Sequence, residues 1–192
     1  MVEFSIAGTR IKISFLFVCL LSLLSLWDKS GGIFLSVLFS LLHEAGHISA
    51  ILLCRERIDE LSFLPHGIAM KLSKTATFTT CQELFVLISG CLVNFIFILL
   101  SKGTVQYINL GIFLFNILPI GSLDGGRLIS LIFTRLFGGR KGERLALLTS
   151  FLILLPLSAL AFYMTISARQ PSLFICCVYL SLTLLIKREK LF

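Results

Sequence analysis

The sequence predicts an all-α polytopic membrane protein: six transmembrane helices, with a small interfacial β-hairpin between the second and the third. Three observations carry this expectation. Of the 192 residues, 57% are hydrophobic and only 14% charged, and the mean hydropathy is +0.99; a soluble domain runs near 45–50% apolar and about 25% charged, so this chain has too few charges to cover a water-facing surface. Apolar runs recur from end to end. At roughly 20 residues per crossing, the length holds about six spans and leaves no room for a separate soluble domain, so one domain over residues 1–192 is expected. The third observation is the distribution of basic residues among the loops, taken up below.

The first span is expected over about 13–27, after Arg10 and Lys12. It imitates the front of a signal peptide, but no small-x-small cleavage site follows, and Trp27 is a typical interfacial residue, so it reads as a retained helix. The second span covers about 33–53 and the third about 84–100. Between them, Asp59 to Leu72 mixes polar and apolar residues around Pro65-His66-Gly67, and reads as two short strands whose edge could receive an extended peptide. A fourth span over about 107–126 is interrupted by Pro119, Gly121 and the Gly125-Gly126 pair. Arg127 to Phe137 follows, with Leu128, Leu131, Ile132 and Leu136 at helical spacing, as expected of a helix lying on the cytoplasmic surface. The fifth span covers about 145–166 and the sixth about 172–186.

Seventeen Lys and Arg against ten Asp and Glu give a net charge of +7, which in a soluble protein would raise the question of nucleic acid. Six spans offer a different cause. They place Arg10, Lys12, Arg55, Arg57, Lys71, Lys74, Arg127, Arg135, Arg140, Lys141, Arg144, Lys187, Arg188 and Lys190 on one side, and Lys29, Lys102 and Arg169 on the other. Cytoplasmic loops are enriched in basic residues, so both termini are expected in the cytoplasm of a bacterial cell membrane, with no nucleic-acid partner. The six cysteines lie in apolar runs or beside basic loops, with no C-x-x-C pair, and are expected to be structural.

Only Glu44 and Asp124 are acidic residues well inside apolar spans, where an unpaired ion costs several kcal/mol, about 3 at a span's centre. Glu44 lies within His43-Glu44-Ala45-Gly46-His47. Histidines four apart share one helical face and suit a single tetrahedral zinc. The adjacent carboxylate can then take a proton from a water held by that metal. A catalytic zinc takes three protein ligands, and the third candidate is Asp124 or His66. Asp124 has the better depth: it and His47 both lie within roughly 12 Å of the same membrane edge, at 1.5 Å per residue. Zinc at +2 with Asp124 and Glu44 at −1 each is also neutral overall. Asn116, in the broken fourth span, and Asn94, in the third, are intramembrane amides that could donate to a substrate carbonyl or a developing oxyanion, or bond across helices.

H-E-x-x-H in one span and N-x-x-P-x-x-x-L-D-G-G in a later one, from Asn116 to Gly126, resemble the site-2 protease family of intramembrane zinc metallopeptidases. Gly90-x-x-x-Asn94 resembles a third motif, with Cys91 where many members carry Pro. The resemblance implies that one zinc per chain is bound by His43, His47 and Asp124, with Glu44 as the catalytic base in peptide-bond hydrolysis. The partners it implies are a transmembrane or membrane-associated protein substrate and membrane-embedded regulators. The short form is most similar to the type that processes a sporulation sigma factor, here without a CBS or PDZ domain. The alternative is a zinc or proton transporter using the same His and Asp ligands. It has no need of a Glu beside the first His, and it predicts ionisable groups through the whole membrane depth, whereas here they cluster toward one face.

Overall fold

The computed structural model describes residues 2–6, 9–28, 31–64, 67–73, 77–169 and 172–189. The chain divides into two compact units, Met1–Phe113 and Leu114–Phe192.

The first unit contains strands β1 (Val2–Ile6) and β2 (Thr9–Ile13), helices α1 (Phe15–Trp27) and α2 (Gly32–Leu53), strands β3 (Ile58–Leu64) and β4 (Gly67–Leu72), and helix α3 (Thr80–Leu100). Helix α4 (Thr104–Ile117) begins in this unit and ends in the next. The two expected strands between the second and third spans are present as β3 and β4, but they form half of a four-stranded sheet in the order β1-β2-β3-β4. β2 runs parallel to β3, and the outer pairs are antiparallel. An all-helical expectation had no place for β1 and β2, because Val2 to Ile13 reads as a short basic flank; its alternation of Phe4, Ile6, Ile11 and Ile13 with Glu3, Ser5, Arg10 and Lys12 is the period-2 signal that marks strands. Since β2 and β3 share a ladder, the chain leaves the sheet through α1 and returns to it through α2. The edge of β3 is covered by β2, so β4 is one outer strand of the sheet.

A carboxylate ties this sheet together. Glu60, at the centre of β3, lies 3.2 Å from Lys12 Nζ on β2 and 3.2 Å from Lys71 Nζ on β4, and accepts a hydrogen bond from Ser62 Oγ at 3.1 Å. The Lys12 and Lys71 ammonium groups, in that order, hold its carboxyl far down, at about 2 against an ordinary 4.5. At the ends of the sheet, Thr9 Oγ1 donates to Ile58 O and Ser14 N to Phe63 O. Phe17 of α1 packs on Phe63 of β3, which sets the first helix on the sheet.

α2 and α3, with 22 and 21 residues, reach about 30 Å at 1.5 Å per residue and can cross a hydrocarbon core. Asp28 Oδ2 accepts from the backbone N–H of Ile33 and Phe34, satisfying the open first turn of α2. α3 starts one turn earlier than its apolar run, because Thr79 and Gln82 form a reciprocal capping box. The two helices cross closely at Gly46, where a Cβ would meet Ser89 O at 2.9 Å and Val93 Cγ2 at 2.8 Å.

The second unit holds the end of α4, then α5 (Asp124–Phe137), α6 (Gly139–Ala168) and α7 (Ser172–Glu189). Ile120, Leu147, Leu154, Ala161, Cys177, Leu180 and Leu184 form its core. Gly142 brings α6 against α5: a Cβ there would overlap the backbone of Phe133 and Thr134. The fourth apolar run is not one helix to Gly126. α4 stops at Ile117, residues 118–123 form a turn, and Asp124 begins α5. Pro119 cannot continue the ladder, and it moves the chain out of helix before the glycines are reached.

Among the described residues, three helices, α2, α3 and α6, are long and apolar enough to cross a membrane. α1 and α4, at 13 and 14 residues, are shorter than the spans expected over 13–27 and 107–126, whereas the apolar stretch Ser172–Ile186 of α7 coincides with the expected sixth span but is also short for a crossing. Their surfaces suit hydrocarbon: Leu152 and Leu155 on α6 are over 70% exposed, while Asn94 and Asn109 are wholly buried. Polar groups inside and leucines outside invert the soluble arrangement.

A carboxyl lowered on folding stabilises the sheet above its unfolded value near 4.5, and that contribution is lost as the pH falls toward 2. Hydrogen exchange of β2–β4 amides in micelles should therefore accelerate between these pH values, beyond the intrinsic pH effect, and Glu60→Gln should show weaker protection at neutral pH with little further loss in acid.

Candidate metal centre

α2 places His43 and His47 one turn apart on the face turned to α3, and both are buried, at 4% and 6% exposure. Their Nδ1 atoms have defined partners. His43 Nδ1 lies 2.6 Å from Asn94 Oδ1, and His47 Nδ1 lies 2.7 Å from the carbonyl oxygen of Val86. Both partners as placed are acceptors, an arrangement that favours a proton on each Nδ1 and a lone pair on each Nε2. The two Nε2 atoms lie 3.2 Å apart. Two lone pairs at that distance repel unless a cation or a proton stands between them.

Metal geometry gives the spacing a test. Two nitrogens each 2.0–2.1 Å from one tetrahedral zinc are about 3.3 Å apart, which the His43–His47 pair matches. The space in front of them is kept open by α3. A Cβ on Gly90 would overlap His47 Nε2 and lie 2.8 Å from His43 Nε2. Gly90 is therefore required by the room beside both ligand atoms, and the residues present fit a metal ion.

Glu44 follows His43 on α2 and is half-buried. Asn94 is placed on α3 against His43, and both its amide groups are engaged: Oδ1 with His43 and Nδ2 donating to Asn109 Oδ1 at 2.9 Å. Asn109, on α4, donates in turn to Val105 O at 2.9 Å. The sequence reading had no role for Asn109, although a third amide in an apolar run was a visible signal. The part played by Val86 O is invisible in sequence, because it is a backbone group.

Asp124 and Asn116 belong to the second unit. Asn116 is half-buried near the end of α4. Asp124 opens α5 as its first residue, where the positive end of the helix dipole favours a carboxylate. The preceding turn is held by Ser150 Oγ, which accepts from Gly121 N at 3.0 Å and donates to Ala146 O at 2.7 Å, and it is plugged by the buried Ile120. Gly125 and Gly126 let α5 start against this turn: a Cβ on Gly125 would overlap Ile117 O, and one on Gly126 would overlap Ile120 O. The Asp-Gly-Gly sequence thus couples a carboxylate to two positions where only glycine fits. His66 lies outside the described residues.

No protein-family model matches the chain. It is 29% identical over 161 residues to stage IV sporulation protein FB of Bacillus subtilis (strain 168), an alignment that covers 77% of this chain and 55% of that protein. Its fold is similar to that of the site-2 protease from Methanocaldococcus jannaschii, with a TM-score of 0.61 at 23% identity, over 93% of this chain and 91% of that one. The first is a likeness in sequence that spans about half of the sporulation protein's length, and the second is a likeness in fold.

Substituting Gly90→Ala should empty the centre from the α3 side. In elemental analysis of purified protein, zinc should fall well below the wild-type content while the helical circular dichroism persists; undiminished zinc would show that the space beside Nε2 is not where the metal binds.

Proposed function

We propose that this chain is an intramembrane zinc metalloprotease that hydrolyses a peptide bond in or near a transmembrane segment of another protein in a bacterial cell membrane. The observation that carries the reading is the pair of Nε2 atoms held 3.2 Å apart behind Gly90, inside an H-E-x-x-H helix apolar enough to span a membrane. The sequence likeness to a sporulation protein and the shared fold with a site-2 protease support it. So does the donor chemistry: His43, His47 and Asp124 each offer one ligand atom, two imidazoles and a carboxylate. Asp124 is the proposed third ligand, because it is an acidic residue fixed at a helix start by glycines that nothing larger replaces.

Bound by these residues, zinc would polarise the scissile carbonyl and make a water acidic enough to lose a proton near neutral pH. Glu44 does the proton work. Its carboxylate accepts one proton from the attacking water as the C–O bond forms, then delivers it to the amide nitrogen as the C–N bond breaks, giving a carboxylic acid and an amine; the acid passes its remaining proton to the amine, leaving a carboxylate and an ammonium. Asn94 Oδ1 and Val86 O hold the Nδ1 side of His43 and His47, which turns each Nε2 toward the metal. Asn116 is proposed to donate to the substrate backbone near Asp124. A helical substrate hides its carbonyls in its own hydrogen bonds and must be extended before cleavage, and the outer strand β4 offers a ladder for such a segment. The membrane orientation follows the basic loops, with both termini and the sheet in the cytoplasm.

Glu44→Gln keeps shape and ligands but removes the proton acceptor. Release of fragments from a co-expressed membrane substrate should fall by roughly 10² to 10⁴, while zinc content is unchanged; Asp124→Asn should lose both. Unimpaired cleavage by Glu44→Gln would end the assigned role of Glu44, and ligand-dependent zinc flux in vesicles without proteolysis would favour a transporter. Orientation has its own readout: reporter fusions after Phe192 should report the cytoplasm, and those after Ser101 the outer side.

A further inference from the structure

Building on the metal-centre reading above, we propose that Asn94 and Asn109 form a one-way hydrogen-bond relay that sets which nitrogen of His43 carries the proton, and so presents Nε2 as a ligand. Both amides are wholly buried, and both lie in the same unit as His43. An amide side chain is ambiguous by itself: turned over, Asn94 would offer Nδ2 to the ring, and His43 would then carry its proton on Nε2, where it cannot bind metal. The ambiguity is removed at the far end of the chain of bonds. The carbonyl of Val105 can only accept, so the Asn109 group 2.9 Å from it is Nδ2. Asn109 Oδ1 then faces Asn94 and requires Nδ2 there, at 2.9 Å. That orientation leaves Asn94 Oδ1 toward His43, at 2.6 Å, and calls the proton to Nδ1.

The direction of the whole series is thus dictated by one backbone group of α4. His47 receives the same instruction without a relay, from the backbone carbonyl of Val86. The two histidines therefore reach the same tautomer by different routes. Neither asparagine touches substrate or supplies a ligand in this scheme; both are positioning residues. An acceptor on the far nitrogen also raises the basicity of the ligating one, and loss of such a partner typically weakens metal binding 10- to 100-fold.

The test is the ¹⁵N spectrum of histidine-labelled, metal-free protein in micelles, with zinc affinity measured by chelator competition on the same samples. Wild type should show both His43 and His47 protonated at Nδ1. Asn94→Leu should move His43 to Nε2–H or to a mixture, leave His47 unchanged as an internal control, and weaken zinc 10- to 100-fold. Asn94→Asp keeps an acceptor and should keep His43 at Nδ1–H, with an affinity nearer wild type. Asn109→Leu, which touches neither histidine, should let Asn94 turn and make His43 a mixture. A wild-type His43 protonated at Nε2, a reading that needs no variant to fold, would overturn the relay. So would an Asn94→Leu protein with unaltered tautomer and zinc affinity. Failure of wild type to bind zinc would instead refute the metal reading, while the tautomer spectra still decide the relay.

Discussion

Two imidazole nitrogens facing each other across 3.2 Å are the constraint around which the first unit is arranged. Left alone, two lone pairs would turn away from one another, so each ring must be held from behind. Val86 and Asn94 do that from α3, and the rings cannot rotate without giving up a buried hydrogen bond. The same helix must leave space in front of the rings, which is why Gly90 sits beside them, and must approach α2 closely, which is why Gly46 faces Ser89 and Val93. Fixing the rings, clearing the space and closing the helix contact thus make one requirement met on two helices.

The second unit solves a related problem with backbone. An acidic residue is costly among apolar helices, and Asp124 is placed where a helix begins, so that the field of α5 favours its charge. Beginning a helix there requires ending another. Pro119 stops α4, Ser150 holds the turn, and the two glycines admit carbonyl oxygens where a methyl group would collide. The break in the fourth apolar run supplies the helix start that Asp124 occupies.

The sheet has a mechanical part. By pairing β2 with β3 it forces the chain segments on either side of α1 and α2 to end together, and it carries Arg10, Lys12 and Lys71 on adjoining strands. Glu60 offsets two of these cations where they would otherwise repel. The basic loops that sequence counting assigns to one side of the membrane are, for this part of the chain, hydrogen-bonded into a single element.

Much of this was legible in the residues. Apolar run lengths located α2 within a residue, α3 to within one capping turn, and α6 and α7 near their centres, because a helix that faces lipid is written in composition alone. The candidate ligands were legible because charge and imidazole are rare in apolar runs and a spacing of four means one helical face. The sheet was half legible: the sequence Pro65-His66-Gly67 marked β3 and β4 on either side of it, whereas β2 gains its partner β3 from residues some fifty positions away, which local pattern does not contain. Asn94 read from sequence as a donor to substrate or a bond across helices, and folding commits both its amide groups to His43 and Asn109. Sequence by itself determined which side chains could carry metal and proton chemistry and that they stand in apolar runs. Tertiary structure decided which nitrogen of each histidine is presented, because that choice belongs to backbone carbonyls and a distant amide, and no residue letter encodes where a carbonyl points.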